Sequence, residues 1–457
     1  MSAARESRQP DRQLDGVWQE LAYGRIIKIH ARGFDLYHTT KLLCYRDPTG
    51  TDLALDSRYS HYELAKGGRL TLYFHDLGEN TRRFQNGERF RRLPKLPAAC
   101  VDSLSTSEYR NPVFIFDLFW QTFKDHYAFF SERGIDWDAV RSRYRARVTP
   151  SSSHDELFDL FREMLGSLND GHVHLYLGTK RHFQAGRNVV RENLQRAFEA
   201  QKSETNFGQY VSAWAGRLKA TVSSGLLQGP VHRAANDTIW WGSLNDRIGY
   251  VNVYLLTNFI ENGGWKSRSA QLRLVDETFD QIFEEFQGKS AVLLDLTHNQ
   301  GGFDAASELI AGRFADRARH ALTIRPILTK PEKLIVYPSS RARFTKPVYV
   351  LTSPITVSAG EGLVAMLKPF PHVKQIGERT RGYLSGILNK PLPADFAVSV
   401  TSQRFTTPDG KLLEVAGNEP DIPLDVFPAN DMDGGYRRAL DRAVALIMSD
   451  ILASHPR

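Results

Sequence analysis

The hydrophobic pattern divides the chain into stretches of different period. Between residues 15 and 95 it alternates. "RIIKIHARGFDLYH" switches between apolar and polar positions around Gly33, and "GGRLTLYFHD" places Leu70, Leu72 and Phe74 on one face. A period of two predicts half-buried strands, here a small antiparallel sheet or barrel. "RLPKLPAACVDSLSTSEYRNP" is rich in proline and serine and reads as a linker. From Pro112 the period becomes helical, with Phe116, Trp120, Phe123 and Tyr127 on one stripe of "VFIFDLFWQTFKDHYAFF". "IDWDAVRSRYRARV" predicts a second helix. A third opens on a Ser153–Glu156 capping box and carries Leu157, Phe158, Phe161, Met164, Leu165 and Leu168 as its apolar stripe. Gly171 suits the left-handed residue that ends such a helix. His172 then leads into a short alternating strand, "HVHLYLG".

Residues 179–245 show helical stretches of weak period and read as an insertion or lid. From residue 246 to 457 strands and helices alternate. "IGYVNVYLL", "SAVLLDL", "KPVYVLT" and "VKQIGER" are strands separated by helices, which predicts an α/β layer structure with mainly parallel pairing. "FAVSVTSQRFTTPDG" reads as one longer exposed strand, and "GGYRRALDRAVALIMS" as a closing helix. Residues 1–14 are charged and lack an apolar run, so a disordered tail is expected. The domain plan is therefore a tail (1–14), a β-domain (15–95), a helical segment (112–178), an insertion (179–245) and an α/β core (246–457).

Composition narrows the function. The 457 residues are 41% hydrophobic, enough for more than one core. No apolar run is long enough to span a bilayer, and the first residues carry no secretory h-region. This favours a cytoplasmic chain. The net charge of +7 is modest for the length. Its densest basic stretch, "TRRFQNGERFRRLPK", centres on Asn86-Gly87 and reads as a solvated hairpin, not a nucleic-acid surface. Cys44 and Cys100 are the only cysteines. Two free thiols are the simpler reading, with a single disulfide as the alternative. Metal-ligand and phosphate-loop motifs are absent, so neither metal nor cofactor is expected.

Chemistry concentrates in "TSPITVSAGEGLVAML". Ser358 stands where a strand turns into a small-residue helix. Such a serine is a helix cap or a nucleophile. A nucleophile needs a base within reach, an orienting group and backbone N–H donors for the oxyanion. The helix start supplies free N–H groups and a positive dipole end. "DLTHNQGG" ends a second strand in glycines before a helix, another anion-friendly turn.

Taken in order, "DLTHNQGG", "TSPITVSAGE", "IGERTRG" and "LLEVAGNEPDIPL" resemble the C-terminal-processing, or tail-specific, protease family, which includes the tricorn core protease and the retinoid-binding modules. "IDWDAVRSRYRARV" and "LFREMLGSLNDGHVHL" resemble the helical segment upstream of that family's core. The resemblance covers residues 112–178 and 246–425. It implies a crotonase-like α/β core with Ser358 as nucleophile and the Gly301 and Ala359 amides as oxyanion donors. Where the Ser–Lys branch has its lysine this chain has Tyr383, which cannot act as that base; only a displaced Lys374 or Lys390 would restore a dyad. The tricorn-like branch instead implies His172 as base, with His174 as its competitor on the same strand face, and Glu414 of "EVAGNEPD" as the supporting carboxylate. Asn418 stands where that branch has valine, and Glu419 and Asp421 read as structural. The group linking Glu414 to His172 is not legible. No PDZ-like pattern occurs between Tyr176 and Tyr250. The expected function is a serine peptidase acting on protein or peptide, with the oligomeric state open. A binding module for an apolar ligand, with residues 114–130 lining its pocket, and a small ester or amide hydrolase are the alternatives.

Overall fold

Four apolar runs make the centre of the molecule. Ile248–Val253, Ala291–Asp295, Val348–Thr352 and Val373–Gly377 pair in parallel, and Ile422–Pro423 adds a short fifth strand. Such runs need both faces covered. Val292 and Leu294 point to one core with the helices Arg268–Glu285, Asp304–Phe314 and Ala359–Leu367. Ala291 and Leu293 point the other way, onto Phe207–Gly225 and Met432–Ala453. The alternation within one strand is the period of two at work. The computed structural model describes residues 12–47, 52–55, 59–74, 87–201, 206–263 and 267–453.

The expected insertion at 179–245 is built into this sheet. Gln228–Ala234 and Ile239–Ser243 pair antiparallel and extend the sheet from Ile248–Val253 to seven strands. The helices Val189–Ala200 and Phe207–Gly225 help form its second core. Their weak period has a physical reason: each buries only a narrow stripe, Val190 and Leu194 in the first, Trp214, Leu218 and Val222 in the second.

The upstream helices Pro112–His126, Trp137–Arg145 and His154–Gly166 pack with a four-stranded sheet into a separate core. That sheet runs Arg181–Gln184, His174–Leu177, Phe396–Thr401, Ile387–Pro391, so half of it comes from the distant C-terminal region. The Ser153–Glu156 capping box forms as expected. Residues 114–130 are mainly core of this body, as the apolar stripe required. The helix end differs: the left-handed residue is Asn169, with φ 46°. Gly171 is required for close approach instead, since a Cβ there would lie 2.4 Å from the Tyr383 ring. The long strand expected at 396–410 divides after Thr401. Gln403–Thr406 pairs into a third sheet, with Arg319–Pro326 and Glu332–Val336.

The N-terminal region is an eight-stranded sheet, and its Leu70 and Leu72 are buried as the pattern predicts. The sheet continues into the expected linker: Cys100–Val101 pairs in parallel with Cys44–Arg46. That register sets Cys44 opposite Cys100, with Cα atoms 4.2 Å apart, and the two form a disulfide. The free-thiol reading is thereby corrected to the disulfide alternative. The same linker holds a capped helix, Thr106–Arg110. Arg12–Leu14 is a 3-10 turn with Leu14 fully buried, so the expected tail ends earlier than residue 14. The rest of the tail and the Asn86 side of the basic hairpin lie outside the described residues. Among the described residues no helix is long and apolar enough to cross a membrane.

Candidate active site

Ser358 sits one residue before the helix Ala359–Leu367 with φ 59° and ψ −128°. A side chain with a Cβ rarely occupies such a conformation, and holding it costs about 1–3 kcal/mol. The surrounding turn is over-determined. Ser353 Oγ donates to Thr297 O at 2.6 Å, Thr356 Oγ1 to Leu296 O at 2.8 Å, and Val357 N–H to Asn299 O at 3.0 Å. The Ser358 N–H itself faces Tyr383 O at 3.1 Å and Glu361 Oε2 at 3.3 Å.

Gly301 lies directly against this elbow, with φ 86°. A Cβ on it would stand 2.6 Å from Ser358 Cβ and 3.0 Å from the Ala359 nitrogen, so only glycine permits the approach. The Gly301 N–H donates to Asn299 Oδ1 at 2.9 Å. The Ala359 N–H, at the helix start, has no acceptor among the described residues.

The loop at 380–386 is the common support. The fully buried Glu361 carboxylate accepts from Thr380 Oγ1 at 2.5 Å, Gly382 N–H at 2.7 Å and Tyr383 N–H at 2.8 Å. Burial raises its pKa, and these hydrogen bonds oppose the rise. Asn418 braces the same corner through its N–H to Thr380 Oγ1 at 2.8 Å and its amide to Glu361 O at 3.1 Å. Further along, Leu384 N–H and Ser385 N–H both donate to Glu414 Oε2, at 2.9 and 3.0 Å.

His172 reaches this loop from the helical body. It is buried, held by its N–H to Asp170 Oδ1 at 3.0 Å and its carbonyl to Ser399 Oγ at 2.6 Å. Its ring packs 6.4 Å from the Tyr383 ring and against the Ser385 backbone. Among the described residues its Nδ1 is buried without a partner. Burial lowers its pKa, against the attraction of Asp170, so the neutral imidazole is favoured near neutral pH. The ring and Ser358 Oγ are not hydrogen-bonded to each other in the structure. His174 differs in environment: its Nδ1 meets His182 Nε2 at 2.9 Å, and its ring stacks with His182 and Tyr176.

Glu414 does not touch the imidazole as its bonding partner. It accepts from the Ser385 N–H, and the Ser385 backbone in turn lies against His172. On its other side Glu414 Oε1 accepts from Arg133 Nη2 at 3.0 Å, and the same guanidinium stands 3.4 Å from Asp170 Oδ2. Asp170 also accepts from Tyr127 OH at 2.9 Å and Thr401 Oγ1 at 2.7 Å. Burial and the nearby Asp170 charge push the Glu414 pKa well up, with the Ser385 amide and Arg133 opposing. Sequence reasoning missed both Asp170 and Arg133. Asp170 was visible in "NDGH" as the acidic residue two before His172. Arg133, in a loop with no motif, gave no signal.

Neither displaced lysine serves Ser358. Lys374 pairs with Asp450 at 2.7 Å, and Lys390 is buried against backbone carbonyls of Tyr23 and Gly24. Tyr383, in the lysine's place, points its hydroxyl toward Asn169 Oδ1 and Arg187 O. Ser358 opens onto a cleft of about 920 Å³ also lined by His174, Ser385, Gly302, Met366 and residues of the N-terminal sheet, with no lysine among its described lining. Glu419 pairs with Arg379, and Asp421 accepts from Gln375 N–H at 2.7 Å, both structural roles. One group elsewhere, His30, Asp35 and Asp52, has metal-ligating atoms close together, but Arg46 and Arg32 already pair with its carboxylates.

A strained serine on an α/β elbow, with a buried histidine and buried carboxylates behind it, is an arrangement able to support serine-hydrolase chemistry. Residues 247–424 match Peptidase family S41, and residues 110–166 match the Tricorn protease C1 domain. The 247–424 segment is thus similar to the S41 family of serine-type peptidases. The chain is 25% identical over 158 residues to the carboxy-terminal processing protease CtpA of Bacillus subtilis, covering 34% of each chain. It is 29% identical over 205 residues to the chloroplastic C-terminal processing peptidase of Tetradesmus obliquus, covering 43% of this chain and 39% of that one. The chain spans about a third of the length of the curated relatives it matches. Among solved structures, mature CPAF complexed with lactacystin superposes with a TM-score of 0.54 at 16% identity, covering 76% of this chain and 99% of that one. That likeness supports the fold.

Proposed function

We propose that the protein hydrolyses peptide bonds with Ser358 as nucleophile, His172 as base and Glu414 as support. The observation that carries this reading is the loop at 380–386. Its Tyr383 carbonyl holds the Ser358 backbone, and its Ser385 backbone lies on His172 and is fixed by Glu414. One short segment thus sets the nucleophile and the base relative to each other.

In this mechanism a substrate carbonyl enters the cleft beside Ser358. Substrate binding brings the hydroxyl and imidazole into hydrogen-bond range, since such contacts tighten in the reacting complex. His172 takes the hydroxyl proton as the Oγ–carbon bond forms, and returns it to the leaving amine as the amide bond breaks. The Ala359 amide stabilises the oxyanion from the helix start. The Gly301 amide joins it by sharing its hydrogen with, or turning from, Asn299 Oδ1. Glu414 and Asp170 favour the imidazolium that forms, with Arg133 balancing their charges. Protein or peptide segments are the substrates this chemistry fits.

The test is labelling by a fluorophosphonate probe, followed by digestion of a peptide library. Wild type labels and cleaves. Ser358→Ala does neither, and His172→Ala labels far more slowly. Equal labelling of wild type and Ser358→Ala removes the assignment. Labelling without Ser358-dependent peptide cleavage, together with turnover of small esters, transfers the site to a small-molecule hydrolase.

A further inference from the structure

The N-terminal sheet is not a bystander beside the cleft. Glu20, Leu21, Ala22, Tyr23 and Arg25 form part of its wall. The turn that carries them is anchored from both sides. Glu20 Oε1 accepts from Ala22 N–H at 2.8 Å, and Oε2 from Tyr23 N–H at 2.5 Å. From the core, the buried Lys390 Nζ donates to Tyr23 O at 2.8 Å and to Gly24 O at 2.9 Å. A buried nitrogen donating to two carbonyls fixes the turn, because leaving either group unpaired is costly.

The Tyr23 side chain continues inward. Its hydroxyl is hydrogen-bonded to the Gln403 side-chain amide. The Gln403 N–H donates to Ser385 Oγ at 3.1 Å. Ser385 is the residue whose N–H is held by Glu414 and whose backbone lies on His172. A continuous run of contacts therefore passes from the N-terminal sheet to the imidazole in three residues.

We infer that Tyr23 is a positioning residue for His172, acting through Gln403 and Ser385, so that the N-terminal sheet tunes the base as well as walling the cleft. The inference rests on the peptidase reading above. Without its hydroxyl, the Gln403 side chain loses its outer partner, the Ser385 loop gains freedom, and His172 spends less time aligned with Ser358. Substrate contacts made by the ring and the backbone of the turn stay in place.

The experiment compares wild type, Tyr23→Phe, Gln403→Ala and the double variant by fluorophosphonate labelling rate from pH 5 to 9 and by kcat and KM on a peptide substrate. Tyr23→Phe is expected to lower the labelling rate and kcat about fivefold, the weight of one lost hydrogen bond, with KM within about twofold of wild type. The acid limb of its labelling profile moves with the altered base. In the Gln403→Ala background the tyrosine change adds nothing, since the contact is already gone. A Tyr23→Phe protein with the wild-type rate and pH profile, or losses that add fully in the double variant, overturns the inference. A wild-type chain that does not label, or a Ser358→Ala chain that labels equally, instead overturns the peptidase reading on which it rests.

Discussion

Replacing Arg133 by leucine isolates the charge balance behind His172. The guanidinium is shared by two carboxylates, at 3.0 Å from Glu414 and 3.4 Å from Asp170, and all three side chains are at most 5% exposed. Removing it leaves two like charges buried together. Breaking a buried pair by deleting one partner costs about 3–5 kcal/mol, and the apolar leucine returns only part of that by packing. The loss has a pH signature. Glu414 has its pKa raised in the fold by burial and by Asp170, with Arg133 opposing. A group raised in this way contributes stability below its unfolded pKa and loses it as pH rises through the folded value. Without Arg133 the folded value climbs further, so the variant suffers most at alkaline pH. Urea unfolding followed by tryptophan fluorescence is expected to show a loss of about 4 kcal/mol at pH 8 and a smaller loss at pH 5.5, because a protonated Glu414 no longer needs the cation. A loss under about 1 kcal/mol, or one equal at both pH values, refutes the shared-cation account.

Ser358→Gly is expected to unfold at higher denaturant than Ser358→Ala, by about 1 kcal/mol, because glycine relieves the φ of 59°; equal midpoints show that the elbow is not strained. Gly301→Ala forces its new Cβ to within 2.6 Å of Ser358 Cβ, so probe labelling should fall at least about tenfold; unchanged labelling shows that the two turns can part freely. The lowered His172 pKa keeps the base neutral down to below its ordinary 6.5, so kcat/KM should stay flat from pH 8 to 6.5 and fall only at lower pH; an acid limb centred above 6.5 contradicts that environment. Reducing Cys44–Cys100 opens a loop with a sequence separation of 56, which chain-entropy reasoning values at up to about 4 kcal/mol; thermal unfolding with and without dithiothreitol measures it, and an unshifted curve shows that the link adds nothing.

The parallel strands were legible because continuous apolar runs flanked by helical periods have few other solutions. Ser358, Gly301, His172 and Glu414 were legible as residues through motif and resemblance, and their roles stand as the proposal above. What the sequence hid was the joining. Arg133 occupies an ordinary loop, and only the fold sets it between Asp170 and Glu414. Tyr23 and Gln403 lie at opposite ends of the chain, and no local period marks either. The helices at 189–225 read as an insertion because their buried stripes are thin; the strands at 228–243 give that segment its place in the main sheet. The cysteine pair was misread because spacing alone carries no register.

The spacing of the site's contacts along the chain has a consequence for synthesis. Arg133 meets Glu414 across 281 residues, Tyr383 meets Asn169 across 214, and Tyr23 meets Gln403 across 380. Contacts this distant form late, since each closes a long loop and needs both partners already made. A nascent chain that has emerged only as far as Ser358 holds the proposed nucleophile but lacks the loop at 380–386 that fixes its backbone and the Glu414 carboxylate proposed to support the base. On the proposed assignment, cleavage competence is coupled to synthesis through residue 414, and Ser358 stays idle while neighbouring segments are still unfolded and open to attack.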